Sequence, residues 1–403
     1  MLPKKFLILS EGFGTGHTRA ATALADGLHR LYPGVCTQVM ELGTMLNPKI
    51  APVIFSAYRK TIYKQPKMIG MLYRRQYHKQ LNELARIVLH KLFYTRALRV
   101  IGGWEPDAIV CTHPFPSAVV ARLKKLGLDI PLYTLITDYD VHGAWVSQEV
   151  NQYLVPSPET GKKLLTRGVE SSRISVTGIP VHPDFWDCGD KSAARARFGF
   201  RDMPTVLVMG GGWGIPLEES MMNVLVRMAD QLQVIVCTGS NDKLLAKLAA
   251  TPAFRHPHIH VLGFTREISA LMDASDLLIT KPGGMTCTEA MAKRLPMLFA
   301  SLLPGQEEEN CGYFEKNGFA KTVAGPVQLM LSLRNAIQNI HENNSNARYT
   351  MQSAAMDFRY DMDFRYDSLC CPATVFRLTA ESAAVQDRRG LFWSDTEQWS
   401  AHL

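Results

Sequence analysis

The run Gly12-Phe-Gly-Thr-Gly16-His17 follows an apolar stretch directly and precedes a helix-forming one. Glycines let such a turn approach a ligand closely, and the helix end that follows offers unpaired N–H groups to an anion. A helix N-terminus disfavours an imidazolium, so His17 is a candidate general base or, more plainly, a capping residue, with Gly14 and Gly16 shaping the turn before it. Gly210-Gly-Gly-Trp-Gly214 is a second glycine run, whose amides around Gly212 and Gly214 suit a phosphate or close a plain tight turn. In Lys281-Pro-Gly-Gly-Met-Thr-Cys-Thr-Glu289 the turn at Gly283 and Gly284 opens a helix through Met285. There Thr286 is expected to cap it or hold a phosphate oxygen, and Glu289 to accept both hydroxyls of a ribose diol or to serve as a first-turn helix acid. Pro304-Gly-Gln-Glu-Glu-Glu-Asn310 sets the amide of Gln306 beside the carboxylate of Glu307, a pair suited to sugar hydroxyls or to an acidic helix start. Thr137-Asp-Tyr-Asp-Val-His142 places Asp138 or Asp140 to orient or deprotonate an alcohol, with His142 near, and also permits a metal on Asp, Asp and His. His113 reads as a core or loop histidine.

Each cluster sits at the end of an expected strand. Lys5–Ser10, Val35–Leu42, Asp107–Thr112, Pro131–Thr137, Gln152–Pro156 and Ile174–Thr177 read as strands, with helices over Thr18–Leu31, Ser117–Leu126 and Pro158–Gly168 between them. The alternation restarts with strands at Thr205–Met209, Gln233–Thr238, His258–Leu262, Leu277–Thr280 and Met297–Ser301. Helices are expected there at Pro216–Met228, Asp242–Ala250, Glu267–Asp273, Met285–Lys293 and Glu308–Asn317. Two rounds of strand–helix alternation predict an α/β chain of two Rossmann-like domains facing a cleft, with ligands at the carboxyl ends of the strands. The expected division is 1–184, 185–355 and a weakly specified tail, 356–403, that opens on the tandem copies Met356–Asp361 and Met362–Asp367.

At 403 residues, 46% hydrophobic and 20% charged, the chain is globular in composition and long enough for two domains. Its eight cysteines form no CxxC pair, which suits a reduced compartment. The formal charge of +7 is unevenly spread: residues 45–104 carry twelve Lys/Arg and one acid, a net +11, against −4 for the rest. That segment reads as basic amphipathic helices broken at Pro52 and Pro66. Cations such as Lys60, Lys64, Arg74 and Arg75, interleaved with aromatics, suit an anionic membrane surface or nucleic acid. No uncharged stretch reaches the roughly 18 residues of a membrane helix.

Taken in order, Gly12–His17, Pro106–Ser117, Thr137–Trp145, Val155–Thr160, Val176–Asp184, Val208–Gly214, Val261–Ile268, Leu277–Lys293 and Leu303–Asn310 resemble one family over roughly residues 4–325. It is that of the monogalactosyldiacylglycerol synthases and processive diacylglycerol glucosyltransferases, inverting enzymes of the GT-B fold. The resemblance implies a hexose moved from UDP-glucose or UDP-galactose to diacylglycerol. Glu289 would bind the ribose, Gly283 to Thr286 the diphosphate, Phe264 the uracil, and Gln306 and Glu307 the donor sugar. His17 would face the acceptor beside Asp138 and His142, with either His17 or Asp138 as the base. Residues 45–104 would dock on the anionic inner face of the cell membrane, leaving the protein cytoplasmic and peripheral. It calls for no cofactor, no metal and no nucleic acid, and leaves the oligomeric state open. The family's C-terminal helix usually returns to the first domain, and the duplication and tail here do not fit that pattern. Other readings are a GT-B enzyme with a polyprenyl-linked acceptor, a UDP-sugar epimerase, a non-catalytic membrane- or RNA-binding module, and a nicotinamide enzyme using Glu41 as its ribose acid.

Overall fold

Short apolar runs form inner strands buried on both faces, as a parallel sheet covered by helices requires. The computed structural model describes residues 4–64, 71, 96–300, 305–342 and 370–387. They divide into two compact units, one running to Pro183 and the other starting at Asp184.

The first unit contains β1 (Lys5–Ser10), α1 (Thr15–Leu31), β2 (Cys36–Glu41), α2 (Leu42–Leu46), α3 (Ala51–Lys64), α4 (Ala97–Trp104) and β3 (Ala108–Cys111). It continues through α5 (Pro114–Lys125), β4 (Leu132–Leu135), β5 (Gln152–Val155), α6 (Pro158–Thr166) and β6 (Ile174–Val176). Its six strands are all parallel, in the order β2-β1-β3-β4-β5-β6. The chain steps from β1 outward to β2, then crosses to β3 on the other side of β1. The loops after β1 and β3 therefore diverge above the sheet and leave a crevice between them.

The second unit opens with α7 (Lys191–Phe198), β7 (Thr205–Met209), α8 (Glu219–Arg227), β8 (Gln233–Cys237), α9 (Asp242–Ala250), β9 (Ile259–Leu262) and α10 (Ile268–Ala274). Then come β10 (Leu277–Thr280), α11 (Gly284–Ala292), β11 (Met297–Phe299), α12 (Gln306–Lys316), β12 (Ala320–Thr322) and α13 (Pro326–Glu342). Its sheet is again six-stranded and parallel, in the order β12-β11-β10-β7-β8-β9. Here the direction changes between β7 and β10. Each unit has its own apolar core under its sheet, with Trp145 and Tyr153 in the first and Val206, Leu277 and Leu298 in the second.

Several elements differ from expectation. Pro52 does not break a helix: it is the second residue of α3, where its missing N–H costs nothing. Pro66 and the residues of Arg74 and Arg75 lie outside the described residues, as does the tandem repeat. Helix α5 starts three residues early, at Pro114, because His113 caps it through its ring nitrogen. The tail is not unspecified throughout. Residues Cys370–Asp387 form α14, a helix of the first unit whose Phe376 stacks on Tyr32, the C-cap of α1, at 3.8 Å between centroids. The family pattern of a returning helix therefore holds here. Cys371, Val375 and Thr379, spaced four apart, are its buried line, but small and apolar residues continue round the helix and blur that stripe in the sequence. Helices α7 and α13 and strand β12 had no expected counterpart.

Candidate active site

In the first unit the crevice between β1 and β3 gathers three of the sequence clusters. His17 is the third residue of α1, whose N-cap is Gly14 in extended backbone, with Gly16 inside the first turn. Its Nδ1 lies 3.0 Å from the Thr112 carbonyl and 2.7 Å from the Thr137 hydroxyl. A carbonyl oxygen only accepts, so Nδ1 carries the proton and Nε2 keeps its lone pair. Burial holds the imidazole below its ordinary pKa, and the Asp138 carboxylate pulls it partly back. His17 is therefore a neutral imidazole with a fixed tautomer and a carboxylate nearby. Asp138 is buried in the loop after β4, next to Thr137.

The other half of that cluster does different work. Asp140 is ion-paired with Lys163 of α6 and is a structural carboxylate. His142 is pushed down to about 4, first by burial. Its ring stands 6.1 Å from Trp145, which is 6.2 Å from His17. Among the described residues no group of three or more His, Cys, Asp or Glu side chains is placed to hold a metal. Glu41 accepts from Thr18 and Thr44 and ties α1 to α2, which removes it from any ribose-binding role.

His113, read from sequence as a core or loop residue, is part of the site wall. Its Nδ1 accepts the Phe115 amide, and its ring meets His17 edge-on at 4.7 Å. Phe13 stacks on it at 5.5 Å and meets Phe55 and Phe115 edge-on. The approach of Phe55 explains Gly12, where a Cβ would come within 2.7 Å of the ring. His17 thus lies beside a half-buried apolar wall. Thr112, Thr137 and His113 were missed as positioning residues. For Thr137 and His113 the available signal was their place among the first polar residues past a strand, whereas Thr112 acts through a main-chain carbonyl. Lys60 is exposed on α3 and meets the His17 cluster in no described contact, and the backbone of Lys64 ends that helix.

In the second unit the glycine turns after β7 and β10 meet at the switch point. Thr280 Oγ1 donates to the Met209 carbonyl at 2.8 Å and ties the two strand ends together. The first turn is not an open row of amides. Gly214 N–H donates to Gly211 O at 2.9 Å, and the Gly212 and Gly214 carbonyls accept from Ser240 and Asn241. Gly214 is therefore a structural glycine, at φ +61° and with Thr238 O only 1.7 Å from where a Cβ would stand. Its amide is spent inside the turn, so it is not free for a phosphate as expected. Gly211 is the residue that faces the second turn.

That second turn leads into α11, with Gly283 as N-cap and Gly284, Met285 and Thr286 as the first turn. Thr286 is inside the helix and does not cap it, which corrects one of its two expected roles. Asn310 of α12 holds the turn by donating to the Pro282 carbonyl at 3.1 Å, a contact the sequence did not disclose. Glu289 lies in the second turn of α11 at 2% exposure. Gln306 and Glu307 open α12 after Gly305, whose φ of +108° favours glycine. Glu307 is ion-paired with Lys281. Phe264, in the loop after β9, is 72% exposed.

Comparison with known proteins fits this division. Residues 17–181 match the model of the monogalactosyldiacylglycerol (MGDG) synthase family, and residues 205–365 that of the glycosyltransferase family 28 C-terminal domain. A processive diacylglycerol beta-glucosyltransferase of Staphylococcus epidermidis is 29% identical over 326 residues, 80% of this chain and 82% of that protein. Among solved structures, Anabaena HepE in complex with UDP and glucose superposes with a TM-score of 0.54 at 15% identity, covering 94% of this chain and 99% of that one. MurG of Acinetobacter baumannii does so with a TM-score of 0.53 at 17% identity, covering 87% and 96%. With one family model on each unit and the same fold in both structures, the chain is a GT-B protein whose first unit is similar to monogalactosyldiacylglycerol synthases and whose second is similar to family 28 glycosyltransferase C-terminal domains.

Proposed function

We propose that the protein transfers a hexose from a UDP-sugar to diacylglycerol with inversion, with glucose as the sugar. The observation that carries this reading is His17: a neutral imidazole, proton fixed on Nδ1 by the Thr112 carbonyl, set beside an apolar aromatic wall. A lipid alcohol needs both a base for its hydroxyl and an apolar surface for its chains. His17 Nε2 takes the alcohol proton as the oxygen attacks the sugar's anomeric carbon, and Asp138 stabilises the imidazolium. On the donor side Glu289 holds the ribose, Phe264 frames the uracil, and the first-turn amides of α11 receive the diphosphate. Glucose rather than galactose follows the names of the curated relatives, which are beta-glucosyltransferases.

Transfer in this reading uses no metal, so EDTA should leave turnover unchanged. Among the described residues no helix is long and apolar enough to cross a membrane. Residues 45–104, with Lys60, Lys64, Arg74 and Arg75, bring the enzyme to the anionic inner face of the membrane, each engaged cation contributing about 1 kcal/mol.

The test is to incubate the protein with each UDP-sugar and with vesicles that hold diacylglycerol, a polyprenyl phosphate or neither, then to measure UDP release and weigh the products. Glucosyl-diacylglycerol formed only in the first arm is expected. Transfer to the polyprenyl arm alone, or UDP release independent of lipid, overturns the reading. The variant Glu289→Ala should lose UDP-sugar binding and keep its sedimentation with anionic vesicles.

A further inference from the structure

Where the two glycine turns of the second unit meet, the side chain between them is a lysine. Lys281 is the first residue after β10. Its stem passes over Gly211, where a Cβ would stand 3.1 Å from the Lys281 Cε. Its ammonium stands above Gly283, where a Cβ would lie 3.8 Å from Nζ. Gly211 therefore leaves room for the lysine stem, while Gly283 lies in ordinary contact beneath the ammonium. The ammonium ends on Glu307, and the two side chains are only 22% and 12% exposed.

The position is an odd one for a cation. Gly283 is the N-cap of α11, and Glu307 is the second residue of α12, so the ammonium stands at the positive ends of two helices. Glu307 neutralises one charge. The unpaired first-turn N–H groups of α11 remain, and a single carboxylate on the next helix does not satisfy them. A group with more than one negative charge, reached by the lysine and by those amides together, fits the place.

Resting on the donor reading above, we propose that Lys281 is the cation that binds the donor's β-phosphate and neutralises the charge developing on the leaving group. As the acceptor oxygen bonds to the anomeric carbon, the bond from that carbon to the β-phosphate oxygen breaks and its electron pair stays on the oxygen. The diphosphate thereby gains one negative charge, while the acceptor proton passes to the base in the first unit. Lys281 meets that new charge, and Glu307 holds the ammonium at the right height. Of the two, the lysine acts on the diphosphate directly and the glutamate is the positioning residue.

The experiment compares UDP with UMP, which differ only by the β-phosphate, by calorimetry on the full chain. Wild type should bind UDP more tightly than UMP. Lys281→Met should weaken UDP by about tenfold or more, the size of one charge-assisted hydrogen bond, and leave UMP within about twofold. Lys281→Arg should recover most of the UDP affinity, and its kcat should exceed that of Lys281→Met at an unchanged KM for the lipid. A lysine that merely latches the turn to α12 gives a different pattern: UMP and UDP weaken together, and Glu307→Gln reproduces Lys281→Met. That pattern overturns the proposal. Acylation of Lys281 in the wild-type protein, read by mass spectrometry, needs no variant to fold: UDP should protect it and UMP should not. Equal protection by both overturns the proposal, whereas a wild type that binds neither nucleotide overturns the donor reading itself.

Discussion

At the scale of single residues, the proposed chemistry rests on one nitrogen. His17 Nδ1 is held by Thr112 and Thr137, so its basicity is expressed at Nε2, and burial keeps that nitrogen unprotonated at neutral pH. Because the folded pKa lies below 6.5, the active neutral form fills as pH rises through that pKa and is lost below it. The kcat/KM profile should therefore be flat from about pH 7 to 8 and fall on the acid side with a midpoint below 6.5. His17→Ala should lower kcat about 10²- to 10⁴-fold and leave UDP affinity unchanged, because the donor residues belong to the other unit. A variant that keeps its turnover would assign the base elsewhere. His17 and Asp138 could be picked from sequence because a histidine after a glycine turn and an acid after a strand are recognisable types. Thr112, which acts through its carbonyl, could not, since every residue has one. Lys281 was passed over because its meaning depends on Gly211, seventy residues away in the chain.

Elements decide which of those residues are held in place. The β7 turn shows how a motif can be legible and its use misread: the same glycines that mark a phosphate cradle spend the Gly214 amide on closing their own turn. Helix α14 shows the reverse, an element whose sequence period is weak and whose packing is firm. Phe376 stacks on Tyr32 at an interplanar angle of 8° and lies 6.4 Å from Phe6 of β1. Tyr133 of β4 reaches Ser382 at 3.4 Å. Phe376→Ala should destabilise the first unit by up to about 3 kcal/mol, the low end of the cost of removing an aromatic ring from a core. Hydrogen exchange at the α1 and β1 amides should rise, while β7 and β10 stay protected. Unchanged protection in α1 would mean that α14 contributes nothing to the sheet it covers.

Across the whole molecule, two architectural features organise the rest. Each sheet reverses direction next to its first strand, and in both units that is where the chemical residues meet. The connector into the second unit is clamped by buried charge. Lys293, 1% exposed, donates to Asp273 at 2.9 Å and to the Asp187 carbonyl, and Asp273 in turn accepts the Gly189 amide at 3.0 Å. Arg195 joins Asp276 to the Ala274 carbonyl beside them. Removing one member of such a pair leaves a buried charge uncompensated, at a cost of about 3–5 kcal/mol. Lys293→Ala should therefore lower the melting transition of the second unit alone and raise hydrogen exchange over 184–198, with the first unit's sheet unaffected. A uniform loss across both sheets would show that the clamp does more than seat the connector.

The alternation of strands and helices, the glycine turns at strand ends and the family resemblance were all present in the sequence, because each depends on residues within a few positions of one another. So was the charge of residues 45–104, a matter of composition alone. What only the tertiary structure decided are the pairings across long separations: His17 with Thr112 and Thr137, Lys281 with Glu307, Asn310 with Pro282, and α14 with α1. Hydrogen bonds and ion pairs are settled by which side chains the strand order brings within about 3 Å, and strand order leaves no periodic trace in the chain.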